Sequence, residues 1–452
     1  MNAISILADL LARSIRRRSI LLSERLSAEM RPISRDRRRG FALSALSMAA
    51  LFLVFSTVFS TAPAFAQSTE SSAAQAAAEA PKKVVFAWLS LRKDPRYTRK
   101  RTYARYLTGA LGRPYQGAET AIAESRFTGS AIGVEFSLER FRAKNLDQWG
   151  ETVAKAVDTG ARYLILDAPA QMVAEAAALT RDRGVLLFNI SSRDDALRQE
   201  GCRSHLLHII PSHAMLMDAI AQYIVFKGWR KALMLTGPAP DDARIGAAFE
   251  RAARRFGVEI VENRPFVFGN DPRNRDRNNI ALLTAGIEHD VVFVADSDGE
   301  FARDVPYRTS QPRPVIGSGG LAAAAWHWAW ERHGAPQLEK RFEKTAKRQM
   351  RSVDWAAWMA VKAVVEAMLR TQGADFPEVR DYLLGKEIIL DGFKGNRVNF
   401  RPWNRQLRQP VLLVTHNWVV DRAPLSGFLH RTNNLDTLGF DERESLCEFD
   451  RP

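Results

Sequence analysis

Residues 160–190 read GARYLILDAPAQMVAEAAALTRDRGVLLFNI. A short apolar run at 162–166 ends at Asp167. An Ala-rich stretch follows at 171–183 and stops at Gly184, and a second apolar run occupies 185–190. Runs this short and this continuously apolar read as strands covered on both faces, and the Ala-rich stretch between them reads as a crossover helix. The unit recurs in both directions. Upstream stand the apolar runs 84–91 (VVFAWLSL) and 132–138 (IGVEFSL). A helical stretch at 147–159 then carries Trp149, Val153, Ala156 and Val157 on one side and is closed by Gly160. Downstream, 206–210 is a strand closed by Pro211, and Ser212 is placed to cap a helix reaching 226. Strand 231–236, helix 241–256 with Gly257 as its stop, an extended 258–268, a helical 278–288 and strands 290–295 and 314–317 complete the alternation.

This pattern predicts an α/β chain with two doubly wound parallel-sheet lobes. A single sheet of ten or more strands is disfavoured against two cores of ordinary size. Residues 83–211 with about 326–385 are assigned to the first lobe, and 212–325 with about 386–425 to the second. Residues 426–452 are assigned to a C-terminal tail. Beyond 321 the chain reads as helical at 322–334, 354–371 and 376–385. Residues 392–420 read as a hairpin whose arms are GFKGNRVNF and PVLLVTHNWVV, turning at 401–409.

The composition is globular: 452 residues, 46% hydrophobic and 26% charged. Of the net charge of +14, +6 falls in residues 1–66, which hold ten Arg and four acids, and +8 on the rest. Residues 35–66 place an Arg run before about twenty mostly apolar residues and then Ala64-Phe65-Ala66, the order of a secretory signal cut after Ala66. The competing reading is an uncleaved anchor. Arg38-Arg39-Gly40-Phe41 is similar to a twin-arginine signal, with Arg37 in place of the usual Ser or Thr. Residues 1–34 read as a dispensable extension or a mis-called start ahead of Met30, and 67–82 as a small, polar linker. Export places the mature chain in the periplasm, without stable membrane insertion after cleavage. It also disfavours a nucleic-acid partner, as does the dispersed charge after residue 67. Two lone cysteines in an oxidising compartment predict a Cys202–Cys447 bridge, closing a loop of about 245 residues and worth roughly 4–5 kcal/mol. Two buried thiols are the alternative.

The order of elements resembles the type I periplasmic binding protein fold, in particular the branched-chain amino acid receptors of ABC transporters, over about residues 83–425. The residues carrying the resemblance most specifically are Gly392, Phe393, Gly395, Val398 and Phe400, then Gln406 and 410–414 (PVLLV). Gly201-Cys202-Arg203, Leu206-Leu207-His208, Pro211-Ser212, Trp326-His327-Trp328 and the tail TNNLDTLGF (432–440) with Cys447 resemble a subgroup associated with pyrroloquinoline-quinone (PQQ)-dependent alcohol oxidation. The loop after the first strand departs from the family's Asp/Gly/Ser-rich pattern. It reads Ser90-Leu91-Arg92-Lys93-Asp94, which argues against amino-acid specificity.

The resemblance implies a receptor that closes two lobes around a small molecule and presents it to an ABC permease; a ligand sensor or a scaffold for a signalling or dehydrogenase partner shares the fold. In such folds ligands sit at the carboxyl ends of the strands. That places Ser90 and Asp94, Asp167 and Ala168, and Asn189, Ser191, Ser192, Arg193 and Asp194 in the first lobe's candidate site. Gly237, Asp296, Ser297, Ser318 and Gly319 are its counterparts in the second. Arg193 offers a fork to an anion, and the Asp residues accept from an amine, a hydroxyl or a hard cation; each Asp is equally suited to cap a turn. Trp326 is the candidate for stacking on an aromatic ligand, while Trp355 and Trp358 read as core.

Enzymatic and cofactor readings find little support. Ser318 lacks the nucleophile-elbow pattern, since Ile316 stands where a Gly is required, and there is no phosphate-binding loop. His205, His208 and His213 lack metal-ligand spacing, and no metal or cofactor is expected. Alcohols, their acid oxidation products, a quinone and a metal chelate all fit the sequence as ligands.

Overall fold

The structure is a computed structural model that describes residues 81–97, 112–267 and 271–449. The N-terminal extension, the export signal with its cut after Ala66, and all of the 67–82 linker but its last two residues lie outside the described residues.

Strands β1 (Lys82–Leu91), β2 (Val134–Ala143), β3 (Tyr163–Asp167), β4 (Leu186–Asn189) and β5 (Leu206–His208) form a parallel sheet in the order β2-β1-β3-β4-β5. Strands β6 (Lys231–Thr236), β7 (Glu259–Pro265), β8 (Val291–Ala295) and β9 (Val315–Gly317) form a second, in the order β7-β6-β8-β9. Helices α1 (Tyr115–Ala131), α2 (Trp149–Asp158) and α3 (Ala170–Leu179) connect the first four strands. Helices α4 (His213–Phe226), α5 (Pro240–Phe256), α6 (Ile280–Leu283) and α7 (Val305–Arg308) serve the second sheet. The expected α/β architecture with two parallel sheets is what the chain adopts.

The continuous apolar strands have the reason anticipated for them. In the first sheet Phe86, Trp88, Ile165 and Phe188 face one core, while Ala87, Leu89, Leu164, Leu166 and Leu187 face another with α2 and α3. In the second, Ala232, Met234 and Phe293 pack under α4 and α5, and Leu233, Leu235, Val292 and Val294 pack under Phe266, Phe301 and Val305. Ser212 caps α4, its hydroxyl accepting from the Met215 N–H at 3.3 Å, and Gly257 ends α5 at φ 69°.

Several local expectations are corrected. Residues 322–334 are not helical: β10 (Ala322–Ala324) pairs antiparallel with β13 (Val411–Val414), which pairs in turn with β14 (Val419–Ala423). Alanine's helix propensity loses to position, because this sheet is wedged between the two cores. Ala322, Ala324, Leu412 and Val414 enter the first core, and Ala323, Val411, Leu413 and Ala423 the second, which leaves room for small side chains. The expected single hairpin over 392–420 is two: β11 (Leu390–Asp391) with β12 (Arg397–Val398), then β13 with β14. Leu390, Val398 and Phe400 belong to the first core rather than the second. The helix expected at 278–288 shrinks to α6, since the chain reverses at Gly286, φ 80°.

Three described helices, α1, α7 and the one at Ala335–Ala346, are not anticipated from the sequence. Helix α8 (Ala335–Ala346) precedes α9 (Ser352–Arg370) and α10 (Phe376–Leu384), and α1 packs along α9. The buried residues of α1 are Tyr115, Gly117, Ala118, Thr120, Ala121, Ser125 and Gly129, most of them too small or too polar to register as hydrophobic periodicity. A Cβ on Gly117 would strike the Asp354 carbonyl, so the two helix backbones meet there.

The crossings between the sheets are pinned by buried side chains. Gln406 Nε2 donates to the carbonyls of His208 (3.1 Å) and Ile210 (3.2 Å), and its Oε1 accepts from Arg198 Nε at 2.8 Å. Gln409 Nε2 donates to the Ile209 carbonyl at 2.6 Å. Lys394, 0% exposed, donates to the carbonyls of Ala325 (3.0 Å) and Pro410 (2.9 Å) and to Gln409 Oε1 (2.8 Å). Cys202 and Cys447 are disulfide-bonded, Cα atoms 5.8 Å apart.

Candidate functional site

The carboxyl ends of β1, β3 and β4 converge on one polar cluster. The β1 residue Ser90 is in register with Asp167 at the end of β3, and Leu166 with Asn189 at the end of β4. Beyond β1, Asp94-Pro95 starts a 3-10 turn over Pro95–Tyr97, and Asp94 Oδ1 accepts from the Arg96 N–H at 2.9 Å. This turn delivers Arg96 and Tyr97 into the cluster. Arg96 Nη2 donates to Asp94 Oδ2 (2.6 Å) and Asp167 Oδ1 (3.1 Å), and its Nη1 donates to Ser191 Oγ (2.8 Å). The Tyr97 hydroxyl donates to Asp167 Oδ1 at 2.7 Å.

Asp94 and Asp167 are both 0% exposed. Burial pushes the Asp167 carboxyl up, against the pull of Arg96 and Tyr97. Burial, then the Asp167 charge, holds the Tyr97 phenol well above its usual value. For Arg96 burial acts against the charge, but the Asp94 hydrogen bond and the Asp167 charge more than offset it, and its pKa is raised.

Two atoms of the cluster have no partner. Asp167 Oδ2 and Arg193 Nε are both buried without a hydrogen bond among the described residues. Burial lowers the Arg193 pKa, and the charge of Arg193 in turn helps depress His213, which burial and three neighbouring arginines bring down to about 3. The loop holding Arg193 is shaped by Asn189. Its Oδ1 accepts from the N–H groups of Ser191 (3.3 Å) and Ser192 (2.9 Å), and its Nδ2 donates to the Ser192 carbonyl at 2.8 Å. Asp194 caps the turn Asp195–Arg198 and pairs with Arg244 of α5 at 3.3 Å.

The expected residues divide accordingly. Asp94, Asp167 and Ser191 come together on Arg96, Arg193 lies within reach of the Tyr97 charge, and Asn189 and Ser192 build the loop. Ala168 turns its side chain into the core beneath. In the second sheet's loops the polar groups are spent on turns. Asp296 accepts from the Ala302 N–H at 2.9 Å, and Ser318 Oγ accepts from the Asp296 N–H at 2.9 Å. The Ser297 N–H donates to Asp242 Oδ1 at 2.6 Å. A Cβ on Gly237 would meet Asp242 and Phe266, and one on Gly319 the Ala302 carbonyl, so both positions serve close packing.

Trp326 is a correction. It is 2% exposed in the first core, its Nε1 donating to Glu339 Oε2 at 3.1 Å, and has no open face on which to stack a ligand. Sequence reasoning missed Arg96, Tyr97 and Arg244. The Asp-Pro pair that starts the Arg96 turn was the available signal. His208 is fully buried beside Asn189, and among the described residues no group of three His, Cys, Asp or Glu side chains is placed to hold a metal.

No family model matches the sequence, and no curated protein is significantly similar to it. Solved structures are similar. A substrate-binding protein of an ABC transporter from Desulfitobacterium hafniense, in complex with Leu, has a TM-score of 0.57 at 16% identity, covering 75% of this chain and 99% of that one. The branched-chain amino acid transporter substrate-binding protein LivJ from Streptococcus pneumoniae, in complex with isoleucine, gives 0.57 at 15%, over 75% and 99%. A solute-binding protein of an ABC transporter from R. palustris, in complex with benzoate, gives 0.58 at 13%, over 81% and 100%. At these identities the likeness establishes the fold: two parallel sheets arranged as in the periplasmic binding proteins of ABC transporters.

Proposed function

We propose that the protein is a periplasmic solute-binding receptor that closes over a small molecule and delivers it to the permease of an ABC importer, binding rather than transforming its ligand. One observation carries this reading. The loops at the carboxyl ends of both sheets meet, joined at the rim by the half-exposed Arg244 of α5 and Asp194 after β4, and a buried polar cluster with unpartnered atoms lies beside that contact. A ligand touching both rims favours the closed arrangement by its differential affinity for it. Export is supported by the signal-like 35–66 segment and by the disulfide. The finer assignment, to a solute of PQQ-dependent alcohol metabolism, rests on the subgroup resemblance at 201–203, 206–208, 326–328 and 432–440.

A thermal-shift screen of alcohols, organic acids, amino acids and quinones on the mature protein, with X-ray scattering of any hit, tests the reading. Saturable 1:1 binding accompanied by a smaller radius of gyration is the expected result. Turnover of a ligand, or binding without compaction, overturns it.

A further inference from the structure

We propose that the cleft takes a small hydroxycarboxylate, its carboxylate on the Arg193 guanidinium and its hydroxyl donating to Asp167 Oδ2, and that it refuses amino acids. This rests on the receptor reading and names its ligand class. Among the described residues the Arg193 side chain has no hydrogen bond and no ion pair, and its Nε is buried. Residues 98–111, which follow Tyr97, contain no Asp or Glu and so hold no counter-charge for it. A partly buried guanidinium whose Nε has no partner is unfavourable without an anion, and its fork matches a carboxylate in two parallel hydrogen bonds. His213, depressed to about 3, is neutral and adds no competing charge.

The acids decide what else enters. An amino-acid ligand carries an ammonium with three donors to satisfy. Both oxygens of Asp94 are occupied by Arg96, and Asp167 Oδ1 by Arg96 and Tyr97. One carboxylate oxygen, Asp167 Oδ2, is buried without a hydrogen bond among the described residues. It suits a single hydroxyl, whereas an ammonium there would face the Arg96 charge with one acceptor. Arg96 thus stands as a built-in counter-ion where an amine would otherwise bind.

Titration calorimetry on the mature protein with lactate, mandelate, phenylacetate, leucine and benzyl alcohol tests this. At least one of the two hydroxy acids should bind, mandelate more tightly than phenylacetate, with no heat from leucine or benzyl alcohol. Arg193→Met should weaken hydroxy-acid binding at least about tenfold, and Arg193→Lys less. Melting temperatures near the wild type show that each variant is folded. Leucine or benzyl alcohol binding with compaction overturns the acid assignment and leaves the receptor standing. An unchanged affinity in Arg193→Met also overturns the assignment. Failure of all five to bind overturns the hydroxycarboxylate assignment, and if the broader screen also yields no compacting ligand the receptor falls with it.

Discussion

Asp195 sits under the loop that carries Arg193 and accepts from the Ala214 N–H with both carboxylate oxygens, at 3.1 Å each. Burial pushes its pKa up to about 6, against hydrogen bonds from Ser212 and Ala214 and the charges of Arg198 and Arg251. The folded protein therefore holds this proton more tightly than the unfolded chain does. The resulting stabilisation is complete below about pH 4 and is lost as pH rises through about 6. Asp195→Asn removes the titration. Its stability relative to the wild type should improve between pH 4 and pH 7, by up to about 3 kcal/mol. Melting curves of both proteins across that range check this, and a difference that does not vary with pH refutes it. At this scale the sequence was informative about Arg193 and Asp167, because a strand end followed by polar residues marks a rim. It was silent about Arg96. That side chain reaches Ser191, 95 positions away, through a 3-10 turn, and no local spacing encodes such a meeting.

The parallel strands were legible because burial on both faces writes itself as an unbroken apolar run, as in VVFVA at 291–295. Helix α1 was not legible, because its buried stripe is mostly Gly, Ala, Ser and Thr, and the wedge strand β10 was not, because four alanines in a row prefer a helix when nothing else acts on them. The segments that cross between the sheets depend on polar side chains. Lys394 stands between β11 and β12, with its amine 3.8 Å from the Trp355 ring centroid, and all three of its N–H donors are matched by acceptors from the crossing segments. Burial and then Arg422 pull its pKa well down, so its charge is costly while its hydrogen bonds are needed. Lys394→Met keeps the length and apolar stem but orphans the Ala325 and Pro410 carbonyls and Gln409 Oε1. The expected cost is about 2–4 kcal/mol. Urea unfolding reads it as a lower midpoint at unchanged slope; a midpoint within error of the wild type would show that water replaces the amine.

Over the whole molecule, the tail does more than trail. Asp436 is buried against Arg401 (2.8 Å) and Arg408 (2.9 Å), and the Thr437 hydroxyl accepts from Gln222 of α4 at 3.0 Å. The Gly439 N–H donates to buried Asp218 at 2.7 Å, the carboxylate that Arg251 and Arg255 of α5 also hold. Further on, the Leu446 N–H donates to Gln199 Oε1 at 2.7 Å, and Cys447 is bonded to Cys202. The tail thus runs from helices of the second sheet to the loop after β4 in the first, and the disulfide fastens only its far end. Chain entropy for a loop of sequence separation 245 gives about 5 kcal/mol. The polar contacts at 436–439 keep most of the tail in place without the bond, so Cys202→Ser/Cys447→Ser should fold and lose about 2–5 kcal/mol. Hydrogen exchange should rise at 444–447 and stay slow at 435–439. Intact mass of the native protein should increase by about 2 Da on reduction, the two hydrogens restored to the thiols. If exchange rises equally along the tail in the double variant, the disulfide rather than Asp436 and Asp218 holds the strap, and the tail folds only as a consequence of the bond.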